Sequence, residues 1–148
     1  VKVFVNSGHH DKDPGAIVAG YFERDLANAI RDQLKVKLPR HWNPIFVPDN
    51  LNLAQTISWI NEQAEESDFA LDIHLNYNKN ISQRGTECYY AFNSQAADVL
   101  ARTVSKKMFI PSRGVRHDSQ TWVGSLGFLR NLKCKSALIE VCYLSNVD

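Results

Sequence analysis

Three apolar runs of strand length, each carrying or ending beside an ionisable residue, limit what this chain can fold into more than any other feature. Residues 1–6 are mainly apolar and β-branched and stop at Gly8-His9. Residues 69–75 are apolar except for Asp72 and His74, and residues 137–144 are apolar except for Glu140. Nearly continuous runs of this kind mark strands buried on both faces of an α/β sheet. A histidine or carboxylate in such a strand has to be paired, protonated or metal-bound, because an unpaired buried charge is very costly. Two histidines and a glutamate placed alike on three strands point to one site.

The segments between these runs carry helical periodicity. Phe22, Leu26, Ala29, Ile30 and Leu34 predict an amphipathic helix over residues 21–37, ended by Pro39. Asn52 with Gln55 three residues on has the form of a capping box, opening a helix to about residue 66. Ser94 is the predicted cap of a third helix, with Ala97, Leu100, Ala101, Val104 and Met108 on its buried stripe. Strands are predicted at 45–47 and 86–92, a loop over 109–124 and a short helix over 125–131. The order βαβαβ, then β, α and β, predicts an α/β fold, a three-layer α/β/α sandwich with a largely parallel sheet, as one domain over residues 1–148.

Composition excludes some classes of function. A net charge of +1 on 148 residues gives no electrostatic footprint for nucleic acid. No run approaches 18 consecutive apolar residues, so no membrane insertion is expected. Cys88, Cys134 and Cys142 are odd in number and lack CxxC spacing, which argues against a disulfide framework or a thiolate zinc knuckle. Val1 opens directly on a strand without an initiator Met, as expected of a trimmed or processed chain or an excised domain, and this leaves a removed signal peptide open.

Ligands of such sheets bind beyond the carboxyl ends of the strands. His9 falls just past the first run and His74 near the end of the second, while Glu140 sits nearer the middle of its own. Alternation puts Ala70, Asp72, His74 and Asn76 on one face. Glu23 stands on the first turn of the first helix, beside the loop that carries His9. Two imidazoles and one carboxylate with an open fourth position are a recurring catalytic zinc set. A further carboxylate outside the metal shell can carry a proton from water to a leaving amine. Glu140 suits that task, since its apolar flanks raise its pKa.

Plainer readings stand beside these. Glu23 alone reads as a dipole-favoured surface residue, and a lone strand-end histidine as a hydrogen-bonded structural one. Glu140 is open to a buried salt bridge with Arg116 or Arg130. His10 is open to a fourth-ligand or a substrate-rim role, and His117 to a place in the same cleft, whereas His41 reads as surface. A Cys/His hydrolase built on Cys88 or Cys142 is disfavoured, because Cys142 would have to expose its thiol from a strand interior.

Taken in order, the segments resemble a known family. Gly8-His9-His10-Asp11-Lys12-Asp13-Pro14-Gly15-Ala16 resembles the Gly-His-Gly-Gly-x-Asp-Pro-Gly-Ala segment of zinc-dependent N-acetylmuramoyl-L-alanine amidases of the type 3 group. Glu23 stands where that family has a metal-binding Glu. Asp72-Ile73-His74-Leu75-Asn76 resembles its Ser-Ile-His-x-Asn, Gly85-Thr86-Glu87 its Gly-led strand entry, and Gly114-Val115-Arg116 its Gly-x-Arg. Residues 138–146 resemble its closing Leu-x-Glu-x-Gly-Phe-x-Ser-Asn. Departures include His10 for Gly, Asp72 for Ser, Cys142 for Gly and Tyr143 for Phe.

The resemblance implies zinc on His9, Glu23 and His74, and Glu140 as catalytic acid/base; substrate contacts are expected from His10, Asn76 and Arg116. It implies hydrolysis of the amide between the lactyl group of N-acetylmuramic acid and L-Ala of the stem peptide. The expected partner is peptidoglycan, met at the bacterial cell wall by a monomer that is secreted, periplasmic or a phage lysin. It also implies a mixed sheet of about six strands, and a further helix after Ser145-Asn146 that is cut or absent here. The short 77–85 loop predicts an open cleft. The alternatives are a zinc carboxypeptidase or aminoacylase-like peptide hydrolase, and a non-catalytic cell-wall-binding domain on the same scaffold.

Overall fold

The computed structural model describes residues 1–146, the Ser94 side chain excepted. The expected helix beyond Ser145-Asn146 lies outside the described residues. Six strands form one sheet: β1 (Val3–Ser7), β4 (Pro44–Phe46), β5 (Phe69–Asn76), β6 (Thr86–Tyr90), β7 (Ser112–His117) and β8 (Lys135–Tyr143). A two-stranded ribbon, β2 (Ile17–Val18) with β3 (Tyr21–Phe22), stands apart. The helices are α1 (Glu23–Lys37), α2 (Leu53–Asn61), α3 (Ser94–Met108) and α4 (Gly127–Asn131), with single 3₁₀ turns at Arg40–Trp42 and Asp118–Gln120.

The sheet order is β4-β1-β5-β8-β6-β7. β4, β1, β5 and β8 run parallel, while β6 and β7 are parallel to each other and antiparallel to β8. This is the expected mixed, mostly parallel α/β/α sandwich. Strand alternation divides the core in two. Phe4, Ala70 and Leu138 face α2 and α4, packing on Ile60, Phe128 and Leu129. Val5, Ile73 and Ile139 face α1 and α3, packing on Ala27, Ala97 and Ala101. Phe4 and Phe128 are 0 % and 2 % exposed, and burial of a side chain of this size contributes about 2–3 kcal/mol.

Local chemistry explains where the elements begin. α2 starts on the predicted box: Asn52 accepts from the Gln55 N–H, and the Gln55 side chain accepts from the Asn52 N–H. α1 starts at Glu23 rather than residue 21, because Tyr21 and Phe22 pair with Val18 and Ile17 across the ribbon. Asn93, not Ser94, caps α3, accepting from the Ala96 N–H. β7 lies within the predicted 109–124 loop. It is an edge strand hydrogen-bonded on one side only, and its Ser, Arg, Gly and His residues suit an edge while hiding the strand signal.

Two features of the sheet position the site. β1, β5 and β8 point their carboxyl ends the same way, and the β5–β8 register pairs His74 with Glu140 before slipping so that Asn76 meets Tyr143. Irregularities of this kind are common beside active sites, where they re-aim side chains. No helix among the described residues is long and apolar enough to cross a membrane.

Candidate metal centre and active site

The site is built around Glu23. After β1 the chain turns at Gly8 and His9, folds into a small hairpin closed by reciprocal His10–Asp13 backbone bonds, and returns to α1. The Glu23 N–H donates to the Ala16 carbonyl, and Glu23 Oε2 accepts from the Ala16 N–H at 3.0 Å. Glu23 Oε1 accepts from the Leu75 N–H at 3.2 Å. The carboxylate, 5 % exposed, is thus fixed at the end of the sheet by two backbone amides.

Two imidazoles converge on Oε1 of the same carboxylate. His9 Nε2 and His74 Nδ1 each lie 3.0 Å from it, and the rings meet edge to face with centroids 4.9 Å apart. Donor atoms of His9, Glu23 and His74 all fall within 4.8 Å of one another. The opposite nitrogen of each ring faces a second carboxylate: Asp13 Oδ2 is 2.9 Å from His9 Nδ1, and Asp72 Oδ2 is 3.2 Å from His74 Nε2. Backing a metal-binding imidazole with an outer carboxylate is how protein metal sites fix ring orientation.

Two glycines make this convergence possible. A Cβ at Gly8 would overlap the His74 ring, so the ring packs directly on the backbone. At Gly15, φ is +66° and a Cβ would stand 2.6 Å from both Glu23 Oε2 and His9 Nε2. His9 itself has φ 70°, an uncommon conformation for a residue with a side chain and one that marks functional sites.

Charge follows from this packing. Burial works to raise the Glu23 pKa, but His74 and His9 outweigh it and hold the carboxyl well below the usual range. Burial works to lower the His74 pKa, but Asp72, Glu23 and Glu140 carry it well above the ordinary imidazole value. His9 is raised more modestly, burial and His74 opposing Glu23 and Asp13. The two rings and the carboxylates around them, Glu23, Asp13 and Asp72, form a cluster whose donor set suits a divalent ion. Two imidazoles and a carboxylate are the composition of open zinc sites.

Glu140 stands beside this cluster and outside it. Its Oε2 is buried with no hydrogen-bond partner. Burial pushes its pKa up to about 7, with Glu23, Glu87 and Asp72 adding to the shift and His74 opposing it. The salt-bridge alternative finds no support, since Arg116 Nε lies 3.3 Å from Glu87, and Arg130 pairs twice with Asp118 at 2.6 Å.

Glu87 belongs to the same row across the sheet, as the β6 register partner of Glu140. It is 2 % exposed and accepts from Asn76 Nδ2 at 2.7 Å and the Tyr89 hydroxyl at 3.3 Å, with Arg113 and Arg116 on its other oxygen. Glu87 is not among the residues expected from sequence, although a carboxylate in an apolar aromatic strand is the same signal that singled out Glu140. Asn76 and Arg116 therefore sit on Glu87. His10 lines the cleft but lies outside the donor group, its Nδ1 accepting from the Lys12 N–H. His117 is tied to the Ala91 carbonyl, and His41 is exposed beside Trp42.

The imidazoles open into a cleft of about 590 Å³ that Leu51, Leu53, Leu126 and Phe128 also line. A thiol nucleophile does not fit: burial, with Glu140 and Glu87, pushes Cys88 up to about 12, and burial and Glu140 also raise Cys142.

Residues 3–148 match the family model described as N-acetylmuramoyl-L-alanine amidase (Amidase_3). The chain is 28 % identical over 150 residues to the N-acetylmuramoyl-L-alanine amidase LytC of Bacillus subtilis (strain 168), covering 99 % of this chain and 30 % of that protein. It superposes on the N-acetylmuramoyl-L-alanine amidase AmiC2 of Nostoc punctiforme with a TM-score of 0.86 at 24 % identity, over 100 % of this chain and 82 % of the other. An N-acetylmuramoyl-L-alanine amidase from Clostridium difficile 630 gives a TM-score of 0.82 at 23 % identity, over 98 % and 81 %. At these identities the structural likenesses speak for the fold, and the family match, which runs from β1 past β8, settles the kinship: this chain belongs to the N-acetylmuramoyl-L-alanine amidase family.

Proposed function

We propose that this chain is a zinc-dependent amidase that hydrolyses the bond between the lactyl carbonyl of N-acetylmuramic acid and the nitrogen of L-Ala in the peptidoglycan stem peptide. It acts at the bacterial cell wall, as a monomer. The observation that carries this is the pairing of a His9–Glu23–His74 donor group with a Glu140 carboxylate one strand away whose Oε2 is buried and unbonded, in a chain of this family. The chain spans 30 % of the length of LytC, so the reading concerns the catalytic unit.

His9, Glu23 and His74 would hold the ion, which when bound supplies a Lewis acid beside the scissile carbonyl and lowers the pKa of water there. Glu140 does the proton work. With a pKa near 7 it is poised to take a proton from the attacking water and to give it to the departing nitrogen. As the C–O bond forms and the C–N bond breaks, L-Ala leaves as a free amine and the lactyl group as a carboxylate. Asp13 and Asp72 keep the imidazoles in place, Glu87 anchors Asn76 and Arg116 at the edge of the site, and the His10 rim contacts substrate.

Mass spectrometry of peptidoglycan digested with the protein tests this reading. The expected products are muramic lactyl carboxylates and free L-Ala amino termini, lost on chelation and restored by zinc. Cleavage confined to the peptide stem would point instead to a carboxypeptidase-like hydrolase and overturn the assignment.

A further inference from the structure

We propose that Asp72 is a positioning residue that fixes the orientation and tautomer of His74, and so sets how tightly the centre holds its ion. The inference rests on the assignment of His9, Glu23 and His74 as the metal ligands. The His74 ring is held by Glu23 Oε1 at 3.0 Å from Nδ1, by Asp72 Oδ2 at 3.2 Å from Nε2, by the bare backbone of Gly8 and by the edge-to-face contact with His9. Strand alternation makes the second contact possible, because residues two apart on β5 share a face.

Asp72 is itself held. It is 3 % exposed, and its other oxygen accepts from Asn6 Nδ2 at 2.7 Å, Asn6 being its register partner on β1. Each carboxylate oxygen therefore has one assigned donor. Glu23 at Nδ1 and Asp72 at Nε2 both accept, so Asp72 favours, against Glu23, the ring that carries its hydrogen on Nε2. The lone pair of the metal-competent ring is then left on Nδ1, the atom aimed at Glu23 and His9. A neutral hydroxyl at position 72, as in the Ser-Ile-His-x-Asn segment this chain resembles, is shorter and both donates and accepts, so it dictates neither reach nor tautomer. Asp13 faces His9 in a corresponding way, but its side chain is 53 % exposed on the surface hairpin. Asp72 is the buried, doubly anchored member of the pair, and the stronger constraint lies there.

The test is zinc affinity, measured by competition with a chromogenic chelator, for the wild-type protein and for Asp72→Ala, Asp72→Ser and Asp72→Asn. Loss of an outer carboxylate of this kind weakens metal binding roughly 10–100-fold. That is the expected loss for Asp72→Ala and Asp72→Ser, with a smaller but measurable loss for the isosteric Asp72→Asn. In zinc-free protein at a pH where the His74 ring is neutral, imidazole ¹⁵N spectra should place its hydrogen on Nε2 in the wild type and lose that preference in Asp72→Ala, a change that a merely structural role would not produce. Wild-type affinity in variants that melt as the wild type does would overturn the proposal. If Asp72→Ala does not fold, the shape-conserving Asp72→Asn decides, and unchanged affinity there overturns it equally. Failure of the underlying assignment looks different: the wild type itself takes up no zinc, or His74→Ala binds zinc as well as the wild type does.

Discussion

Glu140 and His74 are register partners on adjacent parallel strands, yet their side chains are held in opposite ways. Both ring nitrogens of His74 face carboxylates, Glu23 on one side and Asp72 on the other. Glu140 Oε2, beside them, has no hydrogen-bond partner. Such a carboxylate costs stability whenever it is ionised, and persists where a reaction needs it.

The first prediction is a stability measurement on metal-free protein. Burial raises the Glu140 pKa from 4.5 to about 7, so the folded state binds this proton more tightly than the unfolded chain does. The stability this contributes is fully present below the unfolded pKa and is lost as pH rises through the folded value. Glu140→Gln should therefore exceed the wild type by on the order of 1–3 kcal/mol at pH 8, and the gap should close near pH 4. Denaturant midpoints at the two pH values check this, and a gap independent of pH would refute it.

A second prediction concerns proton release. Burial opposes protonation of His74 and His9, but their carboxylate neighbours raise both pKa values. Zinc must displace these protons to reach the ring nitrogens. Calorimetry in buffers of different ionisation enthalpy should show protons released on zinc binding at neutral pH, with affinity falling as pH falls. Heats that do not depend on the buffer would contradict the protonation assigned to the metal-free site.

Much of this was legible in the sequence, and the parts that were not have physical reasons. The central strands and the helices announce themselves through apolar runs and helical periodicity, and Asn52 with Gln55 marks the start of α2 as a box. β7 does not, because an edge strand paired on one side tolerates Ser112, Arg113, Gly114 and Arg116. His9, His74 and Glu140 stand out as ionisable residues at or within apolar strands. Glu23 does not stand out by periodicity, since its place depends on the 8–16 hairpin folding back so that Ala16 meets it at both backbone and side chain. The resemblance in motif order supplied it. Asp13 lies within a quoted motif, but its contact with His9 exists only once that hairpin closes.

Gly8→Ala tests the packing of the site independently of charge. A Cβ there overlaps the His74 ring, so the ring must move off the backbone and away from Glu23. Zinc affinity should fall roughly tenfold or more while the circular dichroism spectrum stays that of the wild type. Retention of zinc affinity would mean that His74 does not need its present seat.

Glu87→Gln tests the row across β5, β8 and β6. The Glu87 charge helps to raise the Glu140 pKa, and its removal should move the acid limb of the kcat/KM profile to lower pH. An unmoved limb, in a variant that still folds, would separate Glu87 from the proton chemistry.

The most direct test of the central claim, that Glu140 moves the proton and does not hold the metal, is the turnover of zinc-loaded Glu140→Gln on purified peptidoglycan with zinc content measured on the same sample. Wild-type zinc content is expected, with a rate of free L-Ala amino-terminus formation lower by about 10²–10⁴-fold. Turnover near the wild-type rate, or loss of the zinc, would contradict it.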